Sequence, residues 1–446
     1  MQIDGIKKLV TKKMSQASKA VAHATVIRPL PSVVDTRAPT PKDQEKMVEL
    51  ELKKGTELSV INLVDMLIER AHAARASDIH LDPRTDGMIV RLRVDGVLQN
   101  VHHLPPGIVN EVISRIKILC GLRTDEHQAA QDGRFHVMLE NDSSIDVRAS
   151  IVPTYYGENA VMRLLSDQAE EFTLETLDFT PKNREKILRA IRKPYGMILA
   201  TGPTGSGKTT TLYTLVKMLN TPEVSIITVE DPVEYSISGI NQIQINPRTS
   251  LTFANGLRSM LRQDPNIIMV GEIRDMETAG LAVNTALTGH LVLSTLHTND
   301  APTTLPRLLD MKVEPYLIAS TVNVAIGQRL VRRICKDCKE ERKLTSLEEK
   351  SLSQIMPAEL LKAHTTFFAG KGCKVCDGTG YRGRAGLHEV MEIDNVIREV
   401  ILSKASASDI AAAAIKQGMV PIIVDGFYKA SRGITTIEEI LRMRYE

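Results

Sequence analysis

The residues of this sequence best suited to chemistry form a glycine-rich run that ends in a lysine and hydroxyl side chains. An apolar stretch, residues 197–200, precedes the run and predicts a buried strand, and residues 209–219 predict the helix that follows. Backbone N–H groups of such a loop bind the β- and γ-phosphates of a nucleoside triphosphate, and the lysine adds a fixed positive charge. The residues expected to contact the nucleotide are Gly202, Pro203, Thr204, Gly205, Ser206, Gly207, Lys208, Thr209 and Thr210. A glycine turn without a ligand is the alternative, but the flanking strand and helix favour a phosphate loop.

Acidic residues follow two later apolar runs, where phosphoryl transfer needs a metal ligand or a water-polarising carboxylate. Glu272 ends one run, while Glu230 ends another and is followed by Glu234. We expect these carboxylates to act with Mg²⁺, which the Thr209 hydroxyl would ligate. A glutamate after an apolar strand is often only a solvated turn, and which of these acts as the base stays open.

A third apolar run ends at a histidine. Residues 290–296 predict a strand, and His297 follows it directly. A neutral imidazole at this place could bond the γ-phosphate and respond to its presence. A structural histidine is the alternative.

Four of the five cysteines form two C-x-x-C pairs. Tetrahedral thiolate ligation suits Zn²⁺, and because all ligands come from the protein the site would be structural. The long gap between the pairs leaves chance pairing as the alternative. The expected ligands are Cys335, Cys338, Cys373 and Cys376, and Cys120 is expected to be a buried apolar filler.

Composition predicts a soluble globular protein of the cytoplasm. The 446 residues are 43% hydrophobic, and 56 basic against 54 acidic residues leave a net charge of +2, so no overall field favours nucleic acid. No apolar run approaches the roughly eighteen residues of a membrane span, and no apolar signal core is present. Residues 1–30 predict a basic amphipathic helix or a solvated tail, and prolines in 28–45 predict a linker.

The elements that position these residues fall into two groups. The first group predicts a small α+β domain with helices over 59–75 and 108–120 and strands over 89–94, 97–101, 133–139, 144–151 and 159–165. The second group alternates strands and helices, which predicts a parallel sheet wrapped by helices, with strands over 197–200, 225–229, 267–270 and 291–294. Residues 335–446 predict a cysteine-containing insert and helices, the last capped by Thr435 with Glu438.

Four runs of residues, in this order, resemble the type II secretion and type IV pilus ATPases over nearly nine-tenths of the chain. They stand where that family has its Walker A, Asp box, Walker B and His box motifs. The runs are Gly202-Pro-Thr-Gly-Ser-Gly-Lys-Thr-Thr-Thr211, Val229-Glu-Asp-Pro-Val-Glu-Tyr235, Leu261-Arg-Gln-Asp-Pro265 with Val270-Gly-Glu-Ile-Arg-Asp275, and Thr288-Gly-His290 with Leu296-His-Thr-Asn-Asp300.

The resemblance implies a fold and a division of the chain. It implies a RecA-like P-loop ATPase domain preceded by a small α+β PAS-like domain, with ATP between them. We therefore expect a basic segment and linker in 1–48, the PAS-like domain in 49–168, the ATPase domain in 169–334, and a tetracysteine zinc subdomain with C-terminal helices in 335–446.

The resemblance also implies an activity and partners. The chain would be a homo-hexameric cytoplasmic motor, peripheral to the inner membrane. It would hydrolyse ATP to assemble type IV pilin or type II pseudopilin through an inner-membrane platform protein. In the family, arginines that match Arg148 and Arg163 reach the nucleotide at a subunit interface; a pair of surface arginines is the alternative. The zinc subdomain is typical of assembly and export motors and generally absent from retraction motors.

Some positions depart from the family, and rival functions stay open. The departures are Glu126 to Ala130, Ser250, Asn266 and His388, the last where a tyrosine is usual, and an N-terminal region shorter than sixty residues. Pilus assembly and type II secretion are not separated. A nucleotide-gated interaction module without hydrolysis is one rival; a nucleic-acid motor is another, which the near-neutral charge and the absence of tryptophan disfavour.

Overall fold

A computed structural model describes residues 41–139, 144–165 and 172–443. The predicted basic helix of residues 1–30 and most of the predicted linker lie outside the described residues. The last linker residues are wrongly predicted, because helix α1 (Pro41–Leu52) begins there and packs on α2 (Val60–Ala73). The expected boundary at residue 48 falls within α1.

Among the described residues, six strands form a first, antiparallel sheet in the order β3-β2-β1-β6-β5-β4. The strands are β1 (Ala76–Arg84), β2 (Gly87–Val94), β3 (Val97–Leu104), β4 (Gln131–Met138), β5 (Ser144–Thr154) and β6 (Gly157–Leu165), with α3 (Val109–Leu119) between β3 and β4. Sequence alternation predicted the other strands but missed β1.

One face of this sheet packs on the helices and the other carries polar side chains. Along β5, Val147 and Ala149 are buried in a core shared with Leu63 and Leu67 of α2. Arg148 lies between them on the opposite face, because side chains alternate along a strand. It stands directly across from Arg163 of β6.

Seven of the described strands form a second sheet, in the order β15-β12-β7-β11-β10-β8-β9. The strands are β7 (Gly196–Thr201), β8 (Ile226–Glu230), β9 (Asn241–Gln244), β10 (Ile267–Val270), β11 (Leu291–Leu296), β12 (Val322–Ile334) and β15 (Tyr381–Glu392). The sheet is parallel except that β15 runs antiparallel to β12. The predicted parallel strands are present, whereas β9, β12 and β15 were not predicted.

Helices cover both faces of the second sheet. The helices are α4 (Pro181–Ile191), α5 (Lys208–Leu219), α6 (Phe253–Met260), α7 (Met276–Leu287), α8 (Thr304–Asp310), α9 (Pro315–Thr321), α12 (Asn395–Leu402) and α13 (Ala407–Lys416). Met197 and Leu199 of β7 join the core on one face, and Ile198 and Ala200 join the core on the other. Burial on both faces explains why β7 is a continuous apolar run.

The remaining C-terminal elements pack around a smaller core beside β12 and β15. They are β13 (Lys339–Arg342), α10 (Ser346–Ser353), α11 (Ala358–Ala363), β14 (Phe367–Gly370), α14 (Ile422–Ser431) and α15 (Ile437–Arg442). Thr436, not Thr435, caps α15, because its side chain accepts from the Glu439 N–H. The Thr435 hydroxyl instead donates to the Arg332 carbonyl at 2.7 Å. Of the helices described, none combines the length and the apolar character needed to cross a membrane.

Candidate nucleotide and metal sites

The glycine-rich run forms a tight loop between β7 and α5. Gly202, Gly205 and Gly207 have φ values of 145°, 79° and 87°, which disfavour any side chain. A Cβ at Gly202 would lie 2.4 Å from the Gln328 carbonyl oxygen, and one at Gly207 would lie 2.7 Å from Gln328 Nε2. The loop therefore packs on β12, and its first and last glycines are required by contact as well as by conformation.

Lys208 is buried at the base of the loop. It is 8% exposed, and its Nζ donates to the carbonyls of Gly202 at 2.8 Å and Pro203 at 2.9 Å. Burial lowers the pKa of Lys208 to about 8, an effect that the Glu272 charge opposes and the Arg329 charge reinforces. A desolvated ammonium of this kind attracts an anion such as a phosphate.

The hydroxyl side chains of the loop differ in exposure. Thr204 is exposed, while Thr209 and Thr210 are half-buried at the first turn of α5. Ser206 is 3% exposed, and its Oγ has no hydrogen-bond partner among the described residues. A buried hydroxyl without a partner in a phosphate loop leaves one donor free for a bound ligand.

Glu272 and His297 meet at the carboxyl ends of neighbouring strands. Glu272 is 8% exposed, and its Oε2 accepts from His297 Nε2 at 3.1 Å and from Arg274 Nε at 2.6 Å. The Thr298 N–H donates to Thr201 Oγ1 at 3.1 Å, which joins the loop after β11 to the end of β7. The structure thus brings together Glu272, His297 and the phosphate loop.

Glu230 occupies a separate buried network. It is 2% exposed and accepts from the Tyr213 hydroxyl, from Thr228 Oγ1 at 2.6 Å and from Gln242 Nε2 at 3.2 Å. Burial raises the pKa of Glu230, and these donors act against that rise. Its carboxylate is therefore engaged by three side chains of its own chain.

Glu234 forms a contact between the two sheets. Arg148 Nη1 lies 3.1 Å from Glu234 Oε2, and Arg148 Nη2 donates to the Val233 carbonyl. The Glu234 N–H lies 3.3 Å from the Tyr213 hydroxyl. Arg148 therefore reaches the segment that follows β8.

Arg163 is not brought to these carboxylates. Its Nε lies 3.1 Å from Asp78 Oδ1 within the first sheet, and its side chain is 58% exposed. The two arginines proposed from the resemblance thus have different partners in this chain.

The four paired cysteines form one cluster whose Sγ atoms all lie within 4.8 Å of one another. The Sγ–Sγ distances are 3.9 Å for Cys335–Cys373, 3.8 Å for Cys338–Cys376 and 3.7 Å for Cys373–Cys376. A Zn–S bond of about 2.3 Å gives a tetrahedron with edges of about 3.8 Å, so the donor set fits zinc.

Backbone amides also favour a thiolate in this cluster. The N–H groups of Cys373 and Gly380 lie 3.1 Å and 3.3 Å from Cys376 Sγ. Burial acts to raise the pKa of Cys376, but these amides and the neighbouring thiols lower it to about 6. Cys120 lies outside the cluster, half-buried, and burial raises its pKa to about 11.

Sequence reasoning missed several residues around the phosphate loop. Tyr213 of α5 is fully buried against Glu230, and Gln328 of β12 accepts from Thr211 Oγ1 at 2.8 Å. The available indications were a tyrosine within a helix after the phosphate loop and an amide within an apolar run. Neither indicates its partner, because each partner is distant in sequence.

The chain matches a known family over most of its length. The sequence model of the family described as Type II/IV secretion system protein matches residues 53–442. The type IV pilus assembly ATPase PilB of Thermus thermophilus is 45% identical over 405 residues, which make up 90% of this chain and 45% of that protein. The type II secretion system protein E of Xanthomonas campestris is 46% identical over 389 residues, which make up 87% of this chain and 68% of that protein. The chain thus spans about half the length of the first of these relatives.

A solved structure shares the fold. The ATPase DotB of Legionella pneumophila aligns with a TM-score of 0.63 at 22% identity, covering 85% of this chain and 95% of that one. The predicted α/β class with a RecA-like nucleotide domain is confirmed.

Proposed function

This chain belongs to the family of type II/IV secretion system proteins, and we propose on that premise that it is a Mg²⁺-dependent ATP hydrolase. One observation carries the proposal: the buried Lys208 ammonium lies in a glycine loop beside Glu272. A desolvated cation, loop amides and the N-terminus of α5 together form an anion site, and an adjacent carboxylate suits metal or water.

The proposed roles follow from the contacts of each group. Lys208 and the loop bind the phosphates, Thr209 is a ligand of Mg²⁺, and Glu272 polarises the attacking water with His297 as its hydrogen-bond partner. Glu230 is the weaker candidate for the base, because its carboxylate is already engaged by three donors. Glu234 is the acidic group that pairs with Arg148.

We extend the catalytic proposal to Arg148 and Arg163. A guanidinium placed on transition-state charge can contribute about 10³-fold or more in rate. The contact of Arg148 with Glu234 supports its role, whereas the contact of Arg163 with Asp78 requires that Arg163 change partner.

The cysteine cluster is proposed as a structural zinc site. Its sulfur spacing supports this, and a metal there would hold the segment between the two pairs. The division of the chain at residues 48, 168 and 334 stays a prediction.

The names of the relatives support a role in assembly. We propose that the chain works as a homo-hexamer in the cytoplasm, at the inner membrane, through a platform protein. One relative is named for pilus assembly and the other for type II secretion, so pilin and pseudopilin are both retained as cargo.

Phosphate release from ATP tests the proposed activity. We expect Lys208→Ala to abolish both ATP binding and hydrolysis, while Lys182→Ala, an exposed lysine on α4, leaves both unchanged. Binding without hydrolysis in the wild-type chain, even with the platform protein, would favour the interaction module. Stimulation by single-stranded DNA would favour the nucleic-acid motor.

A further inference from the structure

A buried carboxylate on β15 bonds two distant backbone amides. Glu389 is 3% exposed, its Oε1 accepts from the Ala301 N–H at 2.6 Å, and its Oε2 accepts from the Ile422 N–H at 3.1 Å. Ala301 follows the His297–Asp300 loop, and Ile422 is the first residue of α14. One side chain therefore joins the loop that carries His297 to a C-terminal helix.

The opposite strand leaves room for this carboxylate. Gly327 of β12 pairs directly with Glu389. A Cβ at Gly327 would lie 2.7 Å from both Glu389 Cγ and Oε1, and 3.1 Å from the Ala301 nitrogen. Only glycine at this position allows the carboxylate to reach the loop.

The charges around Glu389 also connect it to the phosphate loop. Burial raises its pKa, the two amides lower it, Asp300 raises it and Arg329 lowers it. The Arg329 charge also lowers the pKa of Lys208, and a Cβ at Gly202 would lie 3.2 Å from Arg329 Nη1. Arg329 thus lies between the phosphate loop and this buried acid.

We propose that Glu389 is a positioning residue that holds the His297–Asp300 loop against the phosphate loop and couples that loop to α14. The loop has a second attachment at Thr298 to Thr201, so its two ends are fixed by different elements. The inference rests on the proposed hydrolysis for its effect on rate, but the coupling between Ala301 and α14 does not depend on it.

The first experiment measures hydrogen–deuterium exchange in the full chain without nucleotide. Glutamine can accept through only one oxygen, so Glu389→Gln leaves one of the two amides without an acceptor. We expect faster exchange in peptides covering 298–303 or 420–424. The control Glu392→Gln removes a carboxylate from the same strand that pairs with exposed Arg189 and should change neither peptide. Unchanged exchange at both peptides in Glu389→Gln would overturn the proposal.

A second variant removes the backbone donor of α14 and leaves Glu389 in place. Ile422→Pro deletes the N–H that bonds Glu389 at the first helical position, where proline is tolerated, and Pro421 has ψ 148°, which suits a following proline. We expect faster exchange at 298–303 in this variant. Ile422→Val keeps the N–H and should exchange there at the wild-type rate. An effect confined to α14 would exclude coupling to the loop. This variant also keeps the test decisive if Glu389→Gln does not fold.

The third measurement is steady-state hydrolysis. We expect Glu389→Gln to lower kcat about tenfold with the KM for ATP nearly unchanged, the size expected for one lost buried hydrogen bond. A raised KM with kcat unchanged would contradict a role in placing His297. If the wild-type chain hydrolyses no ATP, the proposed function fails while the exchange result on Glu389 stands.

Discussion

At the scale of single residues, His388 shows how burial sets the properties of a side chain. Its ring is fully buried and stacks on Phe179, with ring centroids 3.6 Å apart. Neither ring nitrogen has a hydrogen-bond partner in the part of the chain that the structure describes. Burial, together with the Lys429 charge, holds the pKa of His388 well below its usual value.

This lowered pKa predicts a loss of stability in mild acid. Below a pH of about 6.5 the unfolded chain binds a proton at this histidine that the folded chain does not, so unfolding is favoured as the pH falls. We expect His388 to cost about 1 kcal/mol of unfolding free energy between about pH 8 and about pH 5.5. His388→Phe keeps the stacked ring and should remove this part of the pH dependence.

Urea unfolding of both chains across that range provides the measurement. The difference between variant and wild type isolates His388 from every other titrating group. Parallel curves for the two chains would show that the folded protein protonates this histidine as readily as the unfolded one.

Sequence patterns predicted a tight loop between a strand and a helix, which the structure has between Thr201 and Lys208, but not the acceptors and donors around that loop. The sequence from Gly202 to Thr209 determines the loop conformation locally, because a loop of that composition between a strand and a helix has few conformations. The partners of Tyr213, Gln328 and Glu389 lie between 17 and 117 residues away, so no local pattern could indicate them.

At the scale of elements, the cysteine cluster joins two segments that are distant in sequence. Cys335 and Cys338 stand between β12 and β13, and Cys373 and Cys376 stand between β14 and β15. The β13–β14 pair spans only residues 339–342 and 367–370. A two-stranded sheet of this size is marginal alone, although Phe367 of β14 packs into the neighbouring core. A metal bound by the cluster would add to the local stability.

Loss of one thiolate should therefore lower zinc binding and loosen the local structure. We expect about one zinc per wild-type chain and less than a tenth of that in Cys376→Ser, with new proteolytic cleavage between residues 339 and 371. Cys120→Ser, which changes a half-buried thiol outside the cluster, should keep its zinc and its resistance. Metal analysis and limited proteolysis measure the two effects. Full zinc content in Cys376→Ser would contradict four-thiolate ligation.

Strand prediction succeeded where local pattern decides and failed where the sheet is built from distant segments. Strands β7, β8, β10 and β11 are short apolar runs between helices, and each was predicted close to its observed bounds. Strand β15 joins the same sheet from beyond the cysteine insert and pairs antiparallel with β12. Alternation of strands and helices cannot predict that addition, because the pairing crosses a segment of about fifty residues.

At the scale of the molecule, hydrogen bonds of Arg148 and Asp95 join the first sheet to the second. Arg148 of β5 bonds Glu234 and the Val233 carbonyl, and Asp95 Oδ2 accepts from the Gly383 N–H of β15 at 2.8 Å. The first contact lies next to the proposed catalytic carboxylates and the second lies at the start of the strand that carries Glu389. A movement of the first sheet would therefore be transmitted to the second sheet at both of these places.

The Arg148 contact predicts that this arginine acts on the nucleotide bound by its own chain. We expect Arg148→Ala to lower kcat by about 10³-fold while nucleotide affinity changes little, because the guanidinium acts on developing charge. Arg91→Ala, which removes an arginine paired with Asp82 in the same sheet, should hydrolyse ATP normally.

Because Arg148 bonds Glu234 of its own chain, mixing Arg148→Ala with Lys208→Ala subunits should not restore hydrolysis. In such a mixture each chain lacks either the phosphate-binding lysine or the arginine beside its own carboxylates. Phosphate release from the mixture, compared with each variant alone, measures this. Recovery of activity would mean that the arginine acts on the nucleotide of a neighbouring chain, and the contact with Glu234 would then belong to a state other than the catalytic one.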